Sequence, residues 1–207
     1  MSLNNPQYVK VDGKLYKINT DFRVALECND IVADENIGEY ETVLAILYKL
    51  FGEDGLTCEN QAKLVELAVQ YLSLGNNENS LKIDSQSNFE LDFKKCKGLI
   101  ESSFKYDYGY NPYELDYLHW YTFYNDLQNL STSEFGTCCP LNRIASILNQ
   151  DASKIKETKD RNNLVMLQQE LKQKYCVSDN HNKVELTDEQ IQSAKAFYEK
   201  LGYEIKD

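Results

Sequence analysis

Residues 89–130 read FELDFKKCKGLIESSFKYDYGYNPYELDYLHWYTFYNDLQNL, and the apolar spacing in this stretch decides the fold class. Phe89, Phe93, Cys96, Ile100, Phe104 and Tyr108 recur at steps of three and four. That spacing predicts one amphipathic helix of about five turns. Gly98 inside it weakens the helix only slightly. The run from Asp107 to Pro112 ends it, and Pro112 suits the first turn of a following helix. That helix is predicted to carry Leu115, Leu118, His119, Phe123, Leu127 and Leu130. Ser131-Thr-Ser-Glu134 then has the capping-box pattern and predicts another helix, with Phe135, Cys139, Ile144, Ile147 and Leu148 on its apolar side.

Toward the N-terminus, residues 8–18 read YVKVDGKLYKI, alternating on both sides of Asp12-Gly13. Asp-Gly supplies the positive φ angles of a type I′ turn, so a small β-hairpin is expected. A lone hairpin is marginal and must pack on helices or join a partner's sheet. Thr20-Asp21 reads as a helix cap, with Phe22, Leu26 and Ile31 on the face that follows. Val43, Leu44, Leu47, Leu50 and Phe51 predict a second helix that stops at Gly52. Thr57 is expected to cap a third, with Leu64, Leu67, Ala68, Tyr71 and Leu72 on one face and Gly75 at its end. Residues 75–88 are polar and weakly patterned, and read as a loop.

Toward the C-terminus, residues 151–175 predict a charged helix with a stripe of Leu164, Leu167 and Leu171. After a break at 179–182, Thr187-Asp-Glu-Gln190 repeats the capping-box pattern before Ile191, Ala194, Phe197, Tyr198 and Leu201. The expected fold class is mainly α: a multi-helix domain with a small N-terminal β-hairpin. It falls into an N-terminal region 1–75, a central region 89–176 and a C-terminal helix in 177–207, as one compact unit or two loosely joined parts.

A chain of 207 residues can bury a substantial core. Its net charge of −11 repels nucleic-acid phosphates and anionic lipid. The mildly basic run from Lys154 to Lys174 has acids among its bases, which suits a solvated helix face better than a nucleic-acid site. Residues 1–16 contain no apolar run, and no window reaches the ~20 apolar residues of a membrane span. The expected location is the cytoplasm. Thiols stay reduced there, so Cys28, Cys58, Cys96, Cys138, Cys139 and Cys176 are expected to be free. They form no CxxC pair, and the adjacent Cys138-Cys139 is poor geometry for structural zinc.

Catalysis needs convergent reactive groups. The two histidines are His119, inside the aromatic run 118–124, and His181, in a polar turn. His119 could be a base in a pocket, but no nucleophile or acid motif accompanies it, and a packed, hydrogen-bonded histidine accounts for it better. Cys138 and Cys139 read as small apolar fillers. At this charge, chance carboxylate pairs are expected and carry no weight. No phosphate loop, dinucleotide fingerprint, zincin or EF-hand motif occurs. We therefore expect no catalytic, cofactor-binding or metal residues, and a non-enzymatic protein. Trp120, the only tryptophan, lies among Tyr117, Tyr121 and Tyr124. These four could form an interface hot spot, although a buried helix also accounts for them.

Phe93, Ile100, Phe104, Tyr108-Gly109, Leu115, Leu118-His119-Trp120, Phe123, Leu127 and Leu130, followed by Arg143-Ile144, resemble the bacteriophage gene-product-fifteen family. Asp21-Phe22-Arg23 and Leu50-Phe51 also fit its pattern, so the resemblance spans roughly residues 20–172. Tyr121 stands where the family has a second tryptophan, and the segment after Tyr175 matches nothing in the pattern. Genes of this family commonly lie between those for the major tail protein and the tape-measure protein. The resemblance thus implies a tail-assembly chaperone or scaffold, with the tape-measure protein as partner, other tail proteins as further partners, and self-association. The alternatives are a minor structural component of the virion tail, and a small helical enzyme or ligand-binding protein.

Overall fold

The structure, a computed structural model, describes residues 5–34, 36–74, 91–132 and 138–177. Residues Met1–Val177 form one unit and Ser178–Asp207 a second. The C-terminal helix expected within 187–201, the loop expected at 75–88, Phe89, Phe135 and His181 all lie outside the described residues.

The first unit is mainly α with a two-stranded antiparallel hairpin, β1 (Tyr8–Val11) and β2 (Lys14–Lys17). Asp12 and Gly13 both have positive φ, 47° and 88°, as the type I′ turn requires. One hairpin face turns inward. Val11, Tyr16 and Ile18 are buried, and β1 packs on α4 (Gln61–Leu72).

Asp21 caps α1 (Phe22–Val32), its carboxylate accepting the Arg23 amide at 2.9 Å. α2 (Glu39–Phe51) ends at Gly52, whose φ of 65° suits a residue without a Cβ. A single turn, α3 (Glu53–Leu56), follows. α4 starts later than its expected cap. Asn60 accepts the Lys63 amide, whereas Thr57 is spent on α3, its hydroxyl bonded to the Glu53 and Asp54 carbonyls.

The five-turn central helix is shorter than its spacing suggests. α5 runs from Lys97 to Tyr108. Ahead of it the Asp92 side chain accepts the Lys94 and Lys95 amides, and the Asp92 amide donates to the Tyr175 carbonyl. Leu91 forms an isolated antiparallel bridge with Cys176. Tertiary pairing thus outweighs helical spacing at this end. α5 stops at Gly109, φ 75°.

The expected helix from Pro112 through Leu130 also breaks. Pro112–Glu114 is a 3-10 turn, the chain then extends, and α6 covers only Trp120–Gln128. α7 (Pro140–Asn149) opens behind Cys139, not behind Ser131. Ser131 is otherwise engaged, its amide and hydroxyl both bonded to the Asp107 carboxylate at 2.7 Å. Asp151 caps a 3-10 turn, and the charged helix α8 is Thr158–Tyr175, without a fully buried residue.

The core joins the hairpin to the helices. Phe22, Leu47, Leu50, Leu64, Ile100, Phe104, Trp120, Phe123, Leu127 and Leu141 are all fully buried. Each such side chain contributes on the order of 1.5–3 kcal/mol through its removal from water. Buried Ser103 serves the core as a connector. Its hydroxyl donates to the Leu99 carbonyl and accepts the Leu141 amide, tying the start of α7 to α5.

Candidate functional site: a joint between two helix N-termini

Thr20-Asp21-Phe22 and Leu118-His119-Trp120 lie side by side, antiparallel. Phe22 donates its amide to the Leu118 carbonyl at 2.9 Å, and Trp120 donates to Thr20 at 2.8 Å. An α-helix leaves its first amides without internal partners. Here the first residue of α1 and the first residue of α6 each find a carbonyl just ahead of the other helix.

The side chains complete the arrangement. Asp21 accepts the Arg23 amide and both Arg23 Nε (2.8 Å) and Nη2 (2.7 Å); the guanidinium also donates to the Asp116 carbonyl. Burial pushes the Asp21 carboxyl up, but the Arg23 guanidinium and amide outweigh it and hold the group below the usual range. His119 is the N-cap of α6. Its Nδ1 accepts the Tyr121 amide at 3.1 Å, so the proton sits on Nε2, which donates to the Pro6 carbonyl at 3.3 Å. Both ring nitrogens are engaged, leaving neither free for proton transfer or a metal. Burial lowers the His119 pKa, with the Pro6 bond opposing it.

Around the joint the aromatic rings form a packed row. Phe22 stacks on Phe123 at 4.3 Å, Phe123 on Phe104 at 5.4 Å and Trp120 on Phe123 at 6.0 Å. Trp120 Nε1 donates to the Leu72 carbonyl at 3.3 Å, so the indole is both buried and satisfied.

This geometry corrects the expected contact surface. Trp120 has no exposed area and belongs to the core. Tyr121 is half-buried and stacks on Tyr71 at 5.3 Å; Tyr124 is half-buried and leans on Trp120 at 5.6 Å. Tyr117 alone of the four is exposed, at 53%, with its hydroxyl 2.6 Å from Thr20 Oγ1. Four aromatics therefore do not share one open face.

The remaining reactive groups are dispersed. Cys28, Cys58, Cys96, Cys138 and Cys139 are free thiols, all buried except half-buried Cys138, and Cys176 is buried as well. Burial pushes the Cys28 and Cys96 thiols up to about 12, so they stay protonated at neutral pH. Among the described residues, no group of three or more His, Cys, Asp or Glu is placed to hold a metal ion. No described helix is long and apolar enough to cross a membrane.

Sequence reasoning missed the pairing of Asp21 with His119. The Asp21 cap was visible as such, but histidine is not among the favoured N-cap residues, and its apolar neighbours disguised it as helix interior.

The unit is thus a mainly α domain whose N-terminal hairpin is tethered to a joint between two helix N-termini. The chain belongs to the bacteriophage Gp15 protein family, whose family model matches residues 3–175. Comparison with curated proteins and with solved structures gives no match.

Proposed function

We propose that this phage protein acts in tail assembly, as a chaperone or scaffold that binds the tape-measure protein before the tail tube forms. It works by binding, in the cytoplasm of the host, with no chemical step. The observation that carries this reading is the family match over residues 3–175; the gene position that the resemblance implies points the same way.

Physical features support it. A long helical partner needs its apolar stripes shielded until assembly, and a chaperone for it must stay soluble when loaded. A net charge of −11 provides that solubility. Exposed Tyr117, with the open edges of Tyr121 and Tyr124, supplies amphipathic rings for helix-in-groove contact. Trp120 supports that surface from behind.

Co-expression with the tape-measure protein of the same phage tests the proposal. A soluble complex on size-exclusion chromatography with light scattering is expected, weakened by Tyr117→Ala. A tape-measure protein that stays insoluble and unbound would contradict it. In that case the protein's presence in purified particles would favour a structural role in the tail.

A further inference from the structure

α8 is the longest described helix and the one with the least hold on the core. Every other described α-helix buries at least one residue, whereas α8 buries none. Arg161, Leu164, Gln168, Leu171 and Tyr175 are half-buried, and the rest of α8 is exposed. These five positions alternate steps of three and four. The inward side is therefore a narrow seam of the coiled-coil kind, not a broad apolar face.

Hydrogen bonds do much of the holding. α8 packs on α7, where Gln168 Nε2 donates to the carbonyls of Ile147 (2.9 Å) and Gln150 (2.7 Å). These carbonyls close α7, and a helix end needs such donors or water. At the far end of α8, Lys95 Nζ donates to the Cys176 carbonyl at 2.8 Å and the Asp92 amide to the Tyr175 carbonyl at 3.0 Å. Water replaces bonds of this kind at small net cost. The apolar share is modest: Leu171 and Tyr175 pack against the edge of the core, as does Ile144 of α7. Local stability follows burial, so α8 can be released for far less than global unfolding requires.

We propose that α8 is a displaceable strap. It leaves α7 as a unit while the core stays folded, and its seat then accepts a helix of another chain that repeats its inward pattern. α8 itself shows what the seat takes. Leu164, Gln168, Leu171 and Tyr175 follow one another at steps of four, three and four. The apolar members cover the side of α7 that α8 now covers, and the amide supplies the donor for the last carbonyls of α7. A helix with the apolar stripe but no such donor fits less well, which gives the seat selectivity. An entering helix binds only while the strap is open, so α8 is a built-in competitor. This inference stands apart from the tape-measure reading, because the partner is defined by its pattern alone.

Two measurements on the full chain test this. In native-state hydrogen exchange, the amides of α8 should exchange roughly a hundredfold faster than those of α5 and α6, through an opening that mild denaturant barely alters. The second uses a fluorescent peptide of residues 158–175, the helix's own sequence, as the entering helix. It should bind the full chain, while its Leu171→Ser counterpart, of equal charge, should not. Gln168→Ala in the protein loosens the strap and leaves the seat intact, so the peptide should bind about fivefold more tightly. Unchanged exchange in α5 and α6 shows that this variant stays folded. α8 amides protected as well as those of α5 and α6 would overturn the proposal. So would a peptide that fails to bind, that binds as well with Leu171→Ser, or whose affinity Gln168→Ala leaves unchanged.

Discussion

Asp21 and His119 face each other across an isolated antiparallel bridge, 98 positions apart in the chain, and each caps the helix that follows it. The bridge lets two helix N-termini exchange backbone hydrogen bonds, and it anchors the hairpin tether through Pro6. Removing either cap therefore disturbs more than one helix.

Asp21→Ala removes the cap acceptor and the partner of Arg23. Typical cap losses are about 1–2 kcal/mol. Because Arg23 is 35% exposed, its ion pair adds little to that figure. Asp21→Asn keeps the cap and should recover most of the loss. Urea unfolding of the three proteins at neutral pH measures this ordering.

His119 makes stability pH-dependent in a definite direction. Its folded pKa lies below the ordinary value of 6.5 because burial disfavours the imidazolium. Well above pH 6.5 the ring is neutral in both states and contributes no slope. As pH falls, the unfolded chain takes up the proton first, so stability is lost until the folded ring also protonates. His119→Asn retains a cap acceptor and should lose this part of the slope. Urea midpoints at pH 7 and pH 5.5 for both proteins provide the comparison, and equal slopes would refute the assignment.

Trp120 is fully buried and is the only tryptophan. Its fluorescence should be blue-shifted and resist iodide quenching in the folded chain. Trp120→Ala should cost about 3–5 kcal/mol through lost burial and the cavity left behind. Trp120→Phe should cost less, while leaving the Leu72 carbonyl without its donor.

The glycine inside α5 and the glycine that ends it should respond with opposite signs. At Gly109 (φ 75°) an added Cβ meets nothing within 4 Å, so Gly109→Ala is penalised by backbone conformation alone, by about 1 kcal/mol. Gly98 is helical and equally open, and Gly98→Ala should stabilise by about 0.5 kcal/mol. Thermal unfolding of the two variants separates the effects.

The elements best read from the sequence are those fixed by local chemistry. Asp12-Gly13 specifies its turn, Asp21 its cap and Gly52 its helix end, each through a requirement that one or two residues satisfy. The mistaken boundaries have a common cause. Asp92, Ser131 and the 118–120 backbone are engaged by residues distant in the chain, namely Tyr175, Asp107 and Thr20-Phe22. Helical spacing continued across Asp92 and residues 118–120, and a capping pattern stood at Ser131; at each place long-range hydrogen bonds overrode the local signal. The same holds for the candidate surface. The periodicity that placed Trp120 among aromatics could not say which side of the helix the hairpin and α4 would cover.

The tail-assembly role is tested most directly in the phage that encodes the protein. Its gene is deleted, and the particles produced are examined by electron microscopy and mass spectrometry. Expected are filled heads without tails, restoration of tails by the gene supplied in trans, and complete particles that lack the protein. Tails of normal length and number from the deletion phage would contradict it.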